Sequence, residues 1–145
     1  MSNTPTRLVA ISGEEALYLL SGAPAGRLVY RWRQGTAVRP ATHVLEYGRL
    51  VVRAPVPDTV LTGGDALAYH ADAIDAASHT GWSVTVEGPV SAVTDPDEAA
   101  HHLRTLPGRP HGRHDLLFHL DPRSVHGHRL VPADPSARPR PARLP

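Results

Sequence analysis

Residues 26–55 read GRLVYRWRQGTAVRPATHVLEYGRLVVRAP. Its apolar and β-branched residues fall into three strand-like runs, which are Arg27–Trp32, Thr36–Glu46 and Arg49–Arg53. Turn signals at Gln34-Gly35 and Tyr47-Gly48 separate the runs. The stretch therefore predicts two consecutive β-hairpins.

Further strand-like runs continue toward the C-terminus. Pro55 and Pro57 end the third strand, because proline has no N–H to donate to a sheet. Four more runs are predicted at Leu67–Asp72, Trp82–Val93, Leu116–Leu120 and Ser124–Leu130. About seven short strands in a chain of this length favour a closed barrel or a sandwich.

Two short helices flank these strands. Ser12-Gly13-Glu14-Glu15 has the capping-box form and predicts a helix that ends near Gly22. Asp95-Pro96-Asp97-Glu98 predicts a second helix start, since acids favour the positive end of the helix dipole. Leu103 and Leu106 are expected on the apolar side of this helix, which Pro107 ends.

Composition excludes several kinds of chemistry. The chain has no cysteine, so disulfides and thiolate nucleophiles are excluded, and no lysine, so Schiff-base chemistry is excluded. The net charge is only +1, and the body is near neutral because three arginines lie in the last fourteen residues. Nucleic-acid binding needs a more basic surface. Met1–Arg7 is polar and carries no signal or membrane span, so we expect a cytoplasmic protein without membrane contact.

The length of 145 residues fits one domain. We assign residues 1–131 to this domain. Residues 132–145 contain five prolines and little to bury, so we expect a disordered Pro/Arg-rich tail.

The order of four segments resembles one known family. The segments are GRLVYRW, AVRPATHVLEYGRLVVRAP, ALAYHADAID and HTGWSVTVEGPV, and the match runs from about Leu17 to Leu130. They resemble the pyridoxamine 5'-phosphate oxidase-like family of FMN-binding split barrels. The resemblance implies a mainly β fold, an antiparallel split β-barrel with Greek-key connections, six or seven strands and short flanking helices. It also implies a homodimer with the flavin between two barrels.

The resemblance assigns a set of cofactor-binding residues. It implies that the isoalloxazine ring contacts Val38, Arg39, Pro40, Thr42 and His43. It implies that the phosphate lies near Arg53, Ala54, Asp58, Thr59 and Val60. Trp82 and Ser83 match a position that commonly contacts flavin from the dimer partner. The sequence departs from the family where Thr59-Val60 replaces the usual lysine or arginine, and Ala54 and Thr42 replace a threonine and an asparagine.

The implied function is flavin-mediated oxidation or reduction of a small molecule by an FMN-dependent oxidoreductase. No catalytic acid or base is assigned, and no substrate. The alternatives are a non-catalytic split barrel that has lost its flavin, or a member that binds deazaflavin or heme. Each assigned residue also has a structural interpretation, with Arg53 as a paired surface arginine, Trp82 in a core or interface and His43 facing solvent.

Histidines crowd the C-terminal third at His111, His114, His119, His126 and His128. The His126-Gly127-His128 spacing suits a metal or an axial heme ligand, because residues two apart on a strand share a face. No carboxylate partner is evident beside them in the sequence. We therefore assign no metal site from the sequence.

Overall fold

The computed structural model describes residues 5–63, 67–106 and 115–133. Nine strands are described, which are β1 Thr6–Ile11, β2 Gly26–Trp32, β3 Gly35–Glu46, β4 Arg49–Pro55, β5 Leu67–Ile74, β6 Gly81–Gly88, β7 Val90–Ala92, β8 Asp115–Leu120 and β9 Ser124–Pro132. Three helices are described, which are α1 Gly13–Ser21, α2 Thr59–Thr62 and α3 Pro96–Thr105. None of them is long and apolar enough to cross a membrane.

All strands belong to one antiparallel sheet with the order β1-β9-β6-β5-β2-β3-β4-β8-β7. Each ladder between neighbours is antiparallel. The two edge strands, β1 and β7, do not pair with each other in the described part of the chain, so the sheet stays open. The predicted mainly β, antiparallel split barrel with short helices is confirmed.

Strand β3 is the longest element and belongs to both halves of the sheet. Residues Gly35–Ala41 pair with β2, whereas Thr42–Glu46 pair with β4. The core lies between the halves and is built from fully buried side chains on both, including Leu28, Tyr69, Val84, Leu50 and Phe118. The split of the barrel therefore starts at the change of partner between Ala41 and Thr42.

The long strand expected over Trp82–Val93 is wrong, because the chain forms two strands there. Strand β6 ends at Gly88 and pairs with β5 and β9, while β7 begins at Val90 and pairs with β8. The residue between them, Pro89, has no N–H for a ladder, and its carbonyl accepts from Asp121 N at 3.0 Å. Together with the unpredicted β1, this break raises the strand number from about seven to nine.

The two predicted helices, α1 and α3, begin at the predicted caps. Ser12 Oγ accepts from Glu15 N at 3.1 Å, and Asp95 accepts from Asp97 N at 3.3 Å. The expected apolar side of α3 is wrong at Leu103, which is 53% exposed, whereas His102 is buried. Neighbouring residues on a helix point in directions about 100° apart, so burying His102 turns Leu103 to solvent.

The last strand continues beyond the predicted end at Leu130. It pairs with β1 from Ile11↔Gly127 to Thr6↔Pro132, and Ala133 N donates to Pro5 O at 2.8 Å. The expected disordered tail falls almost wholly on positions 134–145, which lie outside the described residues.

His43 lies inside the barrel and joins three elements. Its Nε2 donates to the carbonyl of Leu20 in α1 at 2.7 Å, and its Nδ1 accepts from the hydroxyl of Tyr69 in β5. Burial lowers the pKa of His43, although the bond to Leu20 favours the protonated form. Burial raises the pKa of Tyr69, so its hydroxyl keeps its proton and acts as the donor. The ring is therefore a neutral core histidine with both nitrogens bonded.

This arrangement predicts acid-sensitive stability. An unfolded chain takes up the His43 proton near pH 6.5, whereas the folded chain takes it up only at lower pH. The contribution of His43 to folding is complete above pH 6.5, and below it the free energy of unfolding falls by up to about 1.4 kcal/mol per pH unit. We expect His43→Gln to flatten this pH dependence, measured by urea unfolding between pH 5 and pH 8, while the exposed-site control His126→Gln keeps it. An unchanged slope in His43→Gln would contradict the assignment.

Candidate functional site

One backbone edge of β3 is open where the strand leaves the barrel. Residues Gly35–Ala41 have a ladder partner only on the β2 side within the described part of the chain. Val38 is 48% exposed, and Arg39 and Pro40 are also exposed. Alternate residues of a strand share a face, so Val38 and Pro40 lie on one side and Arg39 on the other. This edge offers backbone N–H and C=O groups without a ladder partner beside accessible side chains, and the Arg39 guanidinium donates to one of them, the Val38 carbonyl, at 2.9 Å.

Thr42 and Arg53 lie directly opposite each other on β3 and β4. The Thr42 hydroxyl is buried and has no hydrogen-bond partner among the described residues. A buried hydroxyl is usually bonded in a protein, so an unpartnered one beside an open strand edge suits a ligand contact. Two of the predicted cofactor-binding residues are thus neighbours.

Arg53 is buried beside an acid, and Ala54 faces the core. The Arg53 side chain is 3% exposed, and its Nε lies 3.8 Å from Asp115 Oδ2 at the start of β8. A phosphate at Arg53 would share the guanidinium with this carboxylate. The paired-arginine interpretation therefore holds for the described chain, although the pair is buried rather than on the surface.

The predicted phosphate turn forms α2 and its cap. Asp58 and Thr59 are exposed, and Val60 is half-buried against the core. Thr59 and Val60 line a pocket of about 200 Å³ together with Tyr30, Arg31 and Trp32 of β2.

Arg31 is a candidate cation that the sequence analysis missed. It is exposed, and no described carboxylate forms an ion pair with it, in contrast to Arg27, Arg49, Arg53 and Arg129. Only the tertiary fold brings Arg31 and the turn to one pocket, and no local pattern in the sequence signals this. It can supply the charge that Thr59-Val60 lacks.

Trp82 and Ser83 lie away from this group. Strands β5 and β2 separate β6 from β3, which places the strands about 14 Å apart at the usual spacing. Trp82 lines a separate pocket of about 380 Å³ with the end of α1, including Tyr18 and Leu19. One chain therefore does not bring Trp82 and Ser83 to the open edge of β3.

Polar and charged side chains surround Ser83. It lies opposite Asp72, whose carboxylate contacts His70 at 2.9 Å and Arg27 at 3.3 Å. The hydrogen bond from His70 is the largest cause of the lowered pKa of Asp72, and Arg27 adds to it against partial desolvation. The His70 ring also bonds Thr85. The Asp72 carboxylate is therefore already paired on this surface.

The C-terminal histidines do not form one group. His126 is exposed and bonds Ser124 at 2.7 Å, His128 is half-buried opposite Ser83, and His111 and His114 lie outside the described residues. His119 instead contacts Glu98 of α3, beside His101, His102 and Glu46. Partial desolvation opposes ionisation of Glu98, but bonds from His102 and His119 lower its pKa overall. Sequence spacing alone does not show this cluster.

Most of the chain matches one protein family. The family profile described as pyridoxamine 5'-phosphate oxidase matches residues 12–138. The chain belongs to this family. An uncharacterized protein of Mycobacterium tuberculosis is 34% identical over 131 residues, which cover 86% of this chain and 86% of that protein. The resemblance inferred from the order of the sequence segments is confirmed.

Solved structures of lower identity share the fold. The FAD binding protein from Mycobacterium smegmatis matches with a TM-score of 0.63 at 22% identity, over 83% of this chain and 95% of its own. A FAD-binding protein from Mesorhizobium loti matches with a TM-score of 0.66 at 15% identity, over 88% and 99%. The fold of the pyridoxamine 5'-phosphate oxidase family is therefore common to all three chains.

The buried pair in this member of the pyridoxamine 5'-phosphate oxidase family predicts a non-additive effect on stability. Arg53→Met alone removes the guanidinium beside the largely buried Asp115 carboxylate, so we expect it to lower the free energy of unfolding by about 3–5 kcal/mol. The double variant Arg53→Met with Asp115→Leu should unfold near the wild-type urea concentration, because two apolar groups replace the pair. If the double variant loses as much free energy of unfolding as the two single variants together, the two groups are not coupled.

Proposed function

We propose that the chain binds a flavin, with FMN as the preferred form, and acts as a flavin-dependent oxidoreductase on a small molecule. The observation that carries the proposal is the open backbone edge of Gly35–Ala41 beside the unpartnered Thr42 hydroxyl. Membership of the family and the FAD-binding proteins of the same fold support it.

The open edge suits the polar side of an isoalloxazine ring. That side alternates N–H and C=O groups, which match the free backbone groups of an extended strand. Val38 and Pro40 provide apolar contact, and Thr42 can donate or accept through a hydroxyl that otherwise stays unpartnered. In this proposal the flavin supplies electron transfer and the protein orients the ring.

The phosphate is the weaker half of the proposed site. A phosphate carries about two negative charges and prefers arginine forks or lysine. Arg53 shares its guanidinium with Asp115, so we propose Arg31 as the main cation and Arg53 as a second one, with Asp58, Thr59 and Val60 around the phosphate. Ala54 contributes its backbone, since its side chain is buried.

We further propose a homodimer in which Trp82 and Ser83 reach the flavin of the other chain. This agrees with the distance between β6 and β3 within one chain. Tyr30, Trp32 and Trp82 are large apolar groups that a small barrel covers to different extents, since Trp32 remains 42% exposed, Trp82 is half-buried and Tyr30 is buried. Of these three, Trp32 therefore gains most from a dimer contact.

Flavin titration tests the proposal. We expect purified protein to quench FMN fluorescence at a stoichiometry of one per chain, and to bind riboflavin more weakly because it lacks the phosphate. Arg31→Gln should weaken FMN binding roughly ten- to a hundredfold, which is the range for the loss of one charge-assisted hydrogen bond. The affinity for riboflavin should stay nearly unchanged. Thr59→Lys adds a cation at an exposed position, so it should raise the affinity for FMN but not the affinity for riboflavin.

The controls separate the phosphate from the ring. Arg123→Gln removes one exposed arginine elsewhere and should bind both ligands like wild type. The double variant Arg53→Met with Asp115→Leu measures how much Arg53 contributes to the affinity for FMN in a folded chain. If Arg31→Gln lowers the affinities for FMN and riboflavin equally, Arg31 does not bind the phosphate. A heme band or a deazaflavin spectrum in the protein as purified would contradict FMN as the cofactor. Consumption of a reduced nicotinamide by the FMN-loaded protein would separate an enzyme from a binding module.

Light scattering tests the shared site. We expect a particle mass of twice 15.6 kDa at micromolar concentration. Trp32→Ser should shift the equilibrium toward monomer and weaken FMN in parallel, whereas Leu103→Ser, which removes an exposed leucine on α3, should do neither. A monomeric wild type that still binds FMN tightly would refute the dimer.

A further inference from the structure

A cluster of imidazoles and carboxylates lies between the end of β3 and helix α3. His101 Nε2 is 3.2 Å from Glu46 Oε1, and His102 Nδ1 is 3.7 Å from Glu46 Oε2. One ligand atom from each of the three residues lies within 4.8 Å of the others. They line a pocket of about 400 Å³. None of the proposed flavin-binding residues belongs to this cluster.

The two ring nitrogens of His102 differ in their contacts. Its Nε2 lies 3.3 Å from Glu98 Oε1, and a carboxylate only accepts, so this nitrogen carries the hydrogen. The other nitrogen, Nδ1, is buried, has no hydrogen-bond partner among the described residues and faces the Glu46 carboxylate. A nitrogen lone pair and a carboxylate oxygen repel each other unless a cation, either a metal ion or a proton, lies between them.

We propose that Glu46, His101 and His102 bind a divalent transition-metal ion, for which Zn²⁺ is the best match. Two ligands at 2.0–2.1 Å from tetrahedral Zn²⁺ are about 3.4 Å apart, close to the distances from Glu46 to the two rings. Two imidazoles with one carboxylate form a set with an open fourth position, and the pocket leaves room there for water. Mg²⁺ and Ca²⁺ prefer oxygen ligands and do not fit this set.

Glu98 acts as a positioning residue for this site. It accepts from Nε2 of His102 and from Nε2 of His119, the latter at 2.6 Å, so it fixes which His102 nitrogen is available. A carboxylate behind a metal-binding histidine is the usual outer partner of such a site. Glu46 lies four residues from Thr42 along β3, about 13 Å away, so the metal site is independent of the proposed flavin site.

Metal titration of the full chain tests the proposal. After removal of metal with a chelator, we expect calorimetry to show one Zn²⁺ per chain with a dissociation constant in the micromolar range or below. Co²⁺ should give the visible absorption of a four-coordinate site. His101→Ala should weaken Zn²⁺ at least tenfold, and this ring is half-exposed, so the variant should fold. Glu98→Gln should weaken it ten- to a hundredfold.

Matched variants and ions keep the test specific. His126→Ala removes an exposed histidine elsewhere and should leave Zn²⁺ binding unchanged, as should Arg123→Gln. Mg²⁺ should give no heat of binding, and circular dichroism checks that each variant is folded. The proposal is overturned if wild type takes up no Zn²⁺ in this range. It is also overturned if His101→Ala and Glu46→Gln both bind Zn²⁺ like wild type.

Discussion

The bridge from His43 to Leu20 and Tyr69 is the interaction on which the rest of the structure depends. Strand β3 changes partner at Ala41–Thr42, and His43 is the first core-facing residue after that change. Its two hydrogen bonds fix β3 to α1 on one side and to β5 on the other. Gly26 leaves the space for Tyr69, since a Cβ there would lie 2.5 Å from the hydroxyl. The anchor therefore holds β3 at the point where its open edge ends and where Thr42 and Arg53 lie opposite each other.

Local signals predicted the hairpins well. The run Thr36–Glu46 is one residue short of β3, and the Tyr47-Gly48 turn joins β3 to β4, with both residues at positive φ. Strand β1 was missed because its ladder partner is β9, the last strand in the sequence. The break at Pro89 was missed because apolar residues continue on both sides of it. A contact between distant segments decides β1, and no window of sequence contains it, whereas Pro89 is itself a local signal of the break.

The candidate site was likewise predictable only in part. The order of the sequence segments identified the family and the strands that carry the site, and the alternation of side chains along a strand puts Val38 and Pro40 on one face. The burial of His43 and the pairing of Arg53 with Asp115 depend on tertiary packing. The same holds for Arg31 beside α2 and for the meeting of His101 and His102 with Glu46. The chain has no lysine, so arginine is the main side chain that can bind an anion, and among the described residues ion pairs hold Arg27, Arg49, Arg53 and Arg129.

The ladder between β1 and β9 has a consequence for how the protein is made. Ile11 and Gly127 pair across almost the whole chain, and β1 has no other ladder partner in the described residues. During synthesis β1 leaves the ribosome before β9, so its backbone groups stay hydrated until β9 has been translated. Contacts this distant in sequence slow folding, because the loop must close before any ladder bond compensates. The hairpins from β2 to β4 can form on the nascent chain, whereas β1 can join the sheet only after β9 has been made.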